Sequence, residues 1–220
     1  AMVEGFLDDY VYGQRPNALY IPRFRNWGND KQSYLRGFGY QGGASREGWS
    51  RGVNADGFGG DFKQNLTKPG QWTIGFGGFG EVLPNPENRM YLDFSKTDQH
   101  GMPLITFDAK LRENEHKLRA DGVKCAVEML EAAGCTNITS YNNATAPGAC
   151  IHEMGTARMG HNREDSFLNR WNQSHEVPNL FVTDGSCMTS ASCVNPSLTL
   201  MALTVRAVDH AVTEYQSGRI

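Results

Sequence analysis

The sequence has almost no surplus charge: 21 Lys and Arg stand against 24 Asp and Glu, for a net charge of −3. That excludes the strongly basic surface of a nucleic-acid binder or of a protein that grips anionic membranes. Long apolar runs are also missing. The longest nearly apolar stretch, Leu198 to Val205, is interrupted by Thr199 and Thr204 and falls far short of the ~20 residues of a membrane span. Cys125, Cys135, Cys150, Cys187 and Cys193 form no C-x-x-C pair, and no cysteine–histidine spacing reads as zinc-binding. No metal site is expected, and the five thiols read as buried or half-buried residues. Residues 1–20 carry Glu4, Asp8 and Asp9 and no apolar core, so no signal peptide is expected.

Glycine, by contrast, is abundant: 25 of 220 residues, where a usual share is about 7%. The first seventy residues are so punctuated by glycine, with scattered aromatics, that they read as loop-rich. From Gln71 onward patterns emerge. Trp72, Ile74 and Phe76 alternate with small residues as in a strand; Met90 to Phe94 and Leu104 to Phe107 read as two more strands, joined by a turn at Asp98-Gln99-His100-Gly101. Together they predict an antiparallel meander. A helix is expected from about Leu111 to Ala133, with Leu111, Leu118, Val123, Val127 and Leu130 near one face. Glu113–Lys117 and Glu115–Arg119 would pair along the other, Asp121-Gly122 could kink it, and Gly134 stands at C′. Asn179 to Asp184 reads as a short strand. Asn195 at N-cap and Pro196 at N1 open a last helix to about Gln216, whose apolar side is Leu198, Met201, Ala202, Val205, Val208 and Val212, with Gly218 at its end.

Two stretches match G-x-G-x-x-G: Gly37 to Gly42 and Gly75 to Gly80. A dinucleotide loop must end a strand and open a helix, so that the helix N-terminus meets the pyrophosphate. The first is followed by Gly43 and Gly48, the second by Pro84 and Pro86. Both therefore read as strand and loop glycines, and no complete nucleotide-binding unit is expected here. His152-Glu153 opens like H-E-x-x-H but lacks the second histidine, which rules out that zinc motif. What distinguishes His152 from the other five histidines is its setting in the small-residue run from Gly148 to Gly160. Downstream, Asp184-Gly185-Ser186 and the helix start at Asn195-Pro196 offer a second place for close approach to a ligand. A helix N-terminus can stabilise an anion.

The order H-x-x-G-T-x-R-M-G, then N-L-F-V-x-D-G-S, then N-P-x-L-T-x-M-A-L, running from His152 to Arg206, resembles the C-terminal signature of the glucose–methanol–choline (GMC) oxidoreductases. Glu81-Val82-Leu83-Pro84, Asn88-Arg89 and Leu92-Asp93 are similar to the substrate-domain sheet of that family. The wording is nearest its bacterial sugar-dehydrogenase branch, the gluconate-, fructose- and glucoside-3-dehydrogenase-like flavoproteins. The resemblance implies an α+β architecture: an antiparallel sheet with helices on one face as a substrate-binding domain over residues 1–178, of which 1–70 are loop-rich. Residues 179–220 would supply the last strand and helix of an FAD-binding domain whose main loop lies outside this chain. It implies His152 as the active-site histidine and Asn195 as its partner, 43 positions on. Asp184, Gly185, Asn195, Pro196 and Ser197 would be the cofactor contacts.

The chemistry implied is oxidation of a CH–OH group of a sugar or other alcohol: FAD accepts hydride, neutral imidazole takes the hydroxyl proton, and Asn195 hydrogen-bonds the oxygen. The partners implied are the small-molecule substrate, the N-terminal FAD-binding part of the same protein, and a small subunit or cytochrome as electron acceptor, with a periplasmic setting open. No nucleic acid is expected. The isolated chain is expected to be inactive. The alternative is a non-catalytic binding or interaction domain that retains an ancestral site.

Overall fold

The computed structural model describes residues 18–143 and 146–220, together with the backbone of Met2–Val3. The expected loop-rich stretch before residue 18 otherwise lies outside the described residues. The strands are β1 (Met2–Val3), β2 (Ala18–Ile21), β3 (Phe38–Arg46), β4 (Trp72–Gly80), β5 (Arg89–Thr97) and β6 (Pro103–Asp108), and the helices are α1 (Gly59–Thr67), α2 (Glu113–Ala132) and α3 (Ser197–Gln216). All strand pairing in the two sheets is antiparallel, and the fold is α+β. The chain divides into two compact units, one of residues 1–80 and 117–143, the other of residues 81–116 and 144–220.

The first unit is a four-stranded sheet in the order β1-β4-β3-β2. Its centre is made by the two glycine motifs, which face each other as neighbouring strands. Phe38 lies opposite Gly80, Gly39 opposite Phe79, Tyr40 opposite Gly78, and Gly42 opposite Phe76. Each aromatic ring is thus matched across the ladder by a residue with no side chain, which leaves room for rings on a strongly pleated surface. A Cβ on Gly42 would come within 2.1 Å of the Gly75 carbonyl oxygen. These glycines hold strands together.

Against this sheet packs the second part of α2. Phe38, Tyr40, Tyr34, Leu118 and Cys125 form the core, flanked by Phe24 and Phe76. The rings meet edge-on, with Phe38 and Tyr40 centroids 5.5 Å apart and Tyr40 and Phe76 5.1 Å apart. On the apolar side of α2 the buried residues are Leu118, Gly122, Cys125 and Leu130; Val123 and Val127 are only half-buried. Leu118 and Leu130 lie buried as expected, while the smaller Gly122 and Cys125 take the places of Val123 and Val127 and let the sheet's rings approach: Phe38 lies 3.8 Å from where a Gly122 Cβ would be, and the Tyr40 hydroxyl donates to the Gly122 carbonyl at 2.5 Å. The helix continues through Asp121-Gly122. Asp121 accepts from Arg25 Nε at 3.0 Å and from the Tyr34 hydroxyl at 2.6 Å, while Arg25 also donates to the Cys125 sulfur at 2.9 Å. Burial pushes the Tyr34 and Tyr40 phenols and the Cys125 thiol up from their ordinary ranges.

Three expectations are corrected in this part of the chain. The stretch before Gln71 holds three strands and α1; the C-terminal turn of α1 is stapled by Arg51, which donates to the Asn65 and Lys68 carbonyls at 2.8 Å each. The meander does not form. The strand at Trp72 pairs with β3, and Pro84 and Pro86 interrupt the connection to β5, since proline removes a ladder donor. Glu115 does not simply face solvent to pair with Arg119. It is buried, accepts from Arg112 N at 2.8 Å as the third residue of the helix, and accepts from Leu83 N at 3.1 Å. The far end of α2 meets expectation: Gly134 has φ +75°, and Cys135 N bonds Leu130 O at 3.0 Å, a Schellman closure.

In the second unit β5 and β6 form a hairpin closed by Asp98, whose carboxylate accepts from His100 N and Met102 N at 2.8 and 2.9 Å. Two further expectations are corrected here. Asn179 to Asp184 is not a ladder strand: only Phe181 bridges to Gln173, flanked by Ser174 N to Leu180 O at 2.8 Å and Val182 N to Asn172 O at 2.9 Å. And α3 starts at Ser197, with Pro196 at N-cap in helical conformation and no side-chain cap, so Asn195 is not the cap. Its apolar stripe is exposed, Leu198 by 80% and Val205 by 71%. The side that packs within the unit is Ala207, Thr204, Arg206 and His210. Thr204 bonds back to Thr183 O at 3.4 Å, and the His210 ring stacks on Trp171 at 4.7 Å.

Candidate functional site

The candidate residues all fall in the second unit, and backbone hydrogen bonds rather than regular structure hold them. The organising feature is a short 3₁₀ turn, Gly185–Cys187, which Asp184 caps. The Asp184 carboxylate accepts from Ser186 N at 2.8 Å and also from the Ser186 hydroxyl. The carboxylate remains exposed, while Cys187 behind it is fully buried. Burial pushes the Cys187 thiol up.

The stretch after His152 lies along this turn. Ala157 N donates to Ser186 O at 3.1 Å and Met159 N to Cys187 O at 2.8 Å. Two glycines permit the fit. Gly185 has no Cβ, and one built there would stand 2.9 Å from the Met154 sulfur and 3.4 Å from the Glu153 carbonyl oxygen. Gly155 has φ +95°, and its Cβ would stand 3.1 Å from the Thr189 carbonyl oxygen. On its other side the same stretch bridges Leu168, which is fully buried, with Gly160 N bonded to Leu168 O at 2.8 Å. The segment carrying His152 is thus held from both sides just downstream of the histidine. Upstream, Glu153 folds back to accept from Cys150 N at 3.0 Å. The His152 ring is half-buried and makes no hydrogen bond among the described residues.

From the turn the chain runs through 188–194 to the start of α3. Ser190 donates to Glu81 at 2.5 Å, and Cys193 is buried. Asn195 is exposed, Pro196 is buried, and Ser197 begins the helix. With no side-chain cap and no acidic residue in its first turn, the N-terminus of α3 keeps its partial positive charge unneutralised from within the helix. The fold therefore brings the His152 segment into direct contact with Asp184-Gly185. It carries Asn195, Pro196 and Ser197 on the continuation of the same turn. His152 and Asn195 are not hydrogen-bonded to each other. Sequence reasoning missed Asn172, Glu81 and Leu168, which act from behind this arrangement. No periodic spacing announces them, because their partners sit in irregular loop or, for Glu81, far along the chain.

Residues 84–204 match the family model described as GMC oxidoreductase, and the chain belongs to that family. It is 42% identical over 134 residues to 2-methyl-1,2-propanediol dehydrogenase of Mycolicibacterium austroafricanum, covering 60% of this chain and 24% of that protein. It is 32% identical over 140 residues to the fructose dehydrogenase large subunit of Gluconobacter japonicus, covering 63% and 25%. It is 30% identical over 146 residues to C-glycoside 3-oxidase of Arthrobacter globiformis, covering 66% and 28%. The chain matches about a quarter of the length of these curated relatives. Among the described residues no helix is long and apolar enough to cross a membrane, and no group of three or more His, Cys, Asp or Glu could hold a metal ion.

Proposed function

We propose that this chain is the C-terminal part of an FAD-dependent oxidoreductase that oxidises a CH–OH group of a sugar or other alcohol. The observation that carries the reading is the lacing of the His152 segment onto the Asp184-Gly185 turn, two stretches that sequence resemblance assigns to base and cofactor contact. In this reading residues 1–178 serve the substrate and residues 179–220 complete the FAD-binding domain, whose phosphate-binding loop belongs to the N-terminal part of the protein. The donor set suits FAD: Asp184 is an exposed acceptor, Gly185 allows close approach, and the uncapped α3 start beside Asn195, Pro196 and Ser197 suits an anionic ring edge. Bound there, FAD supplies the two-electron acceptor that no amino-acid side chain provides.

The chain's own residues then have two tasks. His152, as neutral imidazole, takes the proton of the substrate hydroxyl. Asn195 donates an amide N–H to the same oxygen as negative charge builds on it, without competing for the proton. Relatives named as dehydrogenases and as oxidases lie on either side of this chain. The electron acceptor of a dehydrogenase would be a small subunit or cytochrome.

The test uses the full-length enzyme. His152→Gln should lower kcat/KM by about 10²–10⁴-fold on a panel of sugars and diols while the bound-flavin spectrum stays unchanged. Activity within threefold of the parent would remove His152 from the role of base. The 220-residue chain alone should hold no flavin after purification.

A further inference from the structure

Asn172 is the most deeply buried polar side chain among the described residues, with no exposed surface. Its backbone sits at φ +61°, a conformation asparagine tolerates better than most residues. The turn that puts it there is built by Asn169, whose side-chain oxygen accepts from Trp171 N at 2.8 Å and Gln173 N at 3.3 Å. From this position one residue ties together two other segments. Its side-chain nitrogen donates to Val182 O at 3.0 Å, and its own carbonyl accepts from Val182 N at 2.9 Å, so Val182 is held by both backbone groups. Its side-chain oxygen accepts from Arg206 on α3 at 3.4 Å.

Val182 and Cys187 bracket Asp184 and Gly185. A residue that grips the chain at Val182, two residues before Asp184, sets where the turn begins and which way its capped carboxylate is presented. The same turn lends the Ser186 and Cys187 carbonyls to the stretch after His152. We propose that Asn172 is a positioning residue for the Asp184-Gly185 turn, holding it in the shape that contacts FAD. The inference rests on the cofactor reading given above. A generic buried residue in the unit would stabilise the fold without affecting cofactor affinity, and Ser166 provides that comparison. It is also buried, and its hydroxyl bonds Asn162 O at 2.6 Å and His175 at 3.1 Å, away from the 182–187 stretch.

The experiment strips the full-length protein of FAD and titrates FAD back, following flavin fluorescence, alongside melting of the apo and loaded forms. Asn172→Gly keeps the backbone conformation and deletes all side-chain bonds. Asn172→Asp keeps the shape and the acceptor for Arg206 but loses the donor to Val182. Both should raise the FAD dissociation constant about tenfold and shrink the rise in Tm that FAD confers. Ser166→Ala should lower the apo Tm yet leave the dissociation constant within twofold. Asn172 variants that bind FAD within threefold of the parent overturn the inference, as does a Ser166→Ala variant that weakens FAD equally. Should Asn172→Gly fail to fold, Asn172→Asp decides. A parent protein that takes up no FAD overturns the cofactor reading and this inference together; normal uptake with unaffected variants overturns the inference alone.

Discussion

Of the two glycines that let the His152 segment lie on the Asp184 turn, the one with the wider clearance should be the costlier to replace. At Gly155 the backbone has φ +95°, and an L side chain forced there costs about 1–3 kcal/mol. The new Cβ would also stand 3.1 Å from the Thr189 carbonyl oxygen. That oxygen belongs to the backbone leading to Asn195 and can yield only by moving the chain. Against this, alanine restricts the unfolded chain and returns about 0.4–1 kcal/mol. Gly155→Ala should therefore cost about 1–2 kcal/mol net. At Gly185 no such φ applies, although the Cβ would stand closer, 2.9 Å from the Met154 sulfur. The sulfur ends a flexible side chain and can swing away for about 0.5–1.5 kcal/mol, which the unfolded-state gain nearly offsets. Gly185→Ala should be close to neutral. Urea unfolding of both variants, with equal slopes, measures the difference. If Gly185→Ala proves as destabilising as Gly155→Ala, contact distance outweighs backbone conformation and the reasoning fails.

Gly42→Ala should be worse than either, about 3 kcal/mol or more, because its Cβ meets Gly75 O at 2.1 Å and Phe76 Cα at 2.5 Å; a loss no greater than that of Gly155→Ala in the same urea unfolding would contradict this. Alkaline pH should unfold the protein. Burial raises the Tyr34 and Tyr40 phenols and the Cys125 and Cys187 thiols. The stability they contribute is complete below their ordinary values of about 8.5 and 10 and is lost as pH rises through the raised ones. Melting temperatures read with absorbance at tyrosinate wavelengths should fall steadily above about pH 9; a flat profile to about pH 11 would exclude it. Met201→Lys with Val205→Glu should change the 220-residue chain by no more than about 0.5 kcal/mol, since both side chains are exposed. In the full-length protein, where we propose that the stripe packs into the FAD-binding domain, the pair should cost about 3 kcal/mol or more. Equal effects in the two contexts would refute that packing.

Elements governed by local chemistry were legible in the sequence. Gly134 and Gly218 mark the ends of their helices, where each has positive φ. Asp98 closes the β5–β6 hairpin as a turn residue should. Partner choice was much less legible. The alternation at Trp72 is a genuine strand signal, yet nothing local says that its ladder is β3 rather than β5. Gly39 and Gly42, which obscured β3, make sense only once they are seen across from Phe79 and Phe76 on β4. The stripe on α3 was legible as one apolar side, but its exposure within this chain was not, because periodicity reports which residues share a face and not what covers it. At the site, the motif residues stood out through their small neighbours. Asn172 and Glu81 did not, since a buried asparagine and a carboxylate receiving one serine hydroxyl have no periodic signature.

The chain builds each of its two compact units from two separate stretches, 1–80 with 117–143 and 81–116 with 144–220. A nascent polypeptide that has just extruded β3 and β4 carries their rings without the helix that covers them. At about 5–20 residues per second, α2 and its closing Gly134 follow several seconds later, after the hairpin of the other unit has emerged. During that interval Phe38, Tyr40 and Phe76 present an uncovered aromatic surface to solvent and to chaperones. The same interleaving means that a single protease nick in the stretch from Glu81 to His116 cannot release either unit whole. A nicked molecule would stay associated through its paired strands and helix packing, migrating as two fragments only after denaturation.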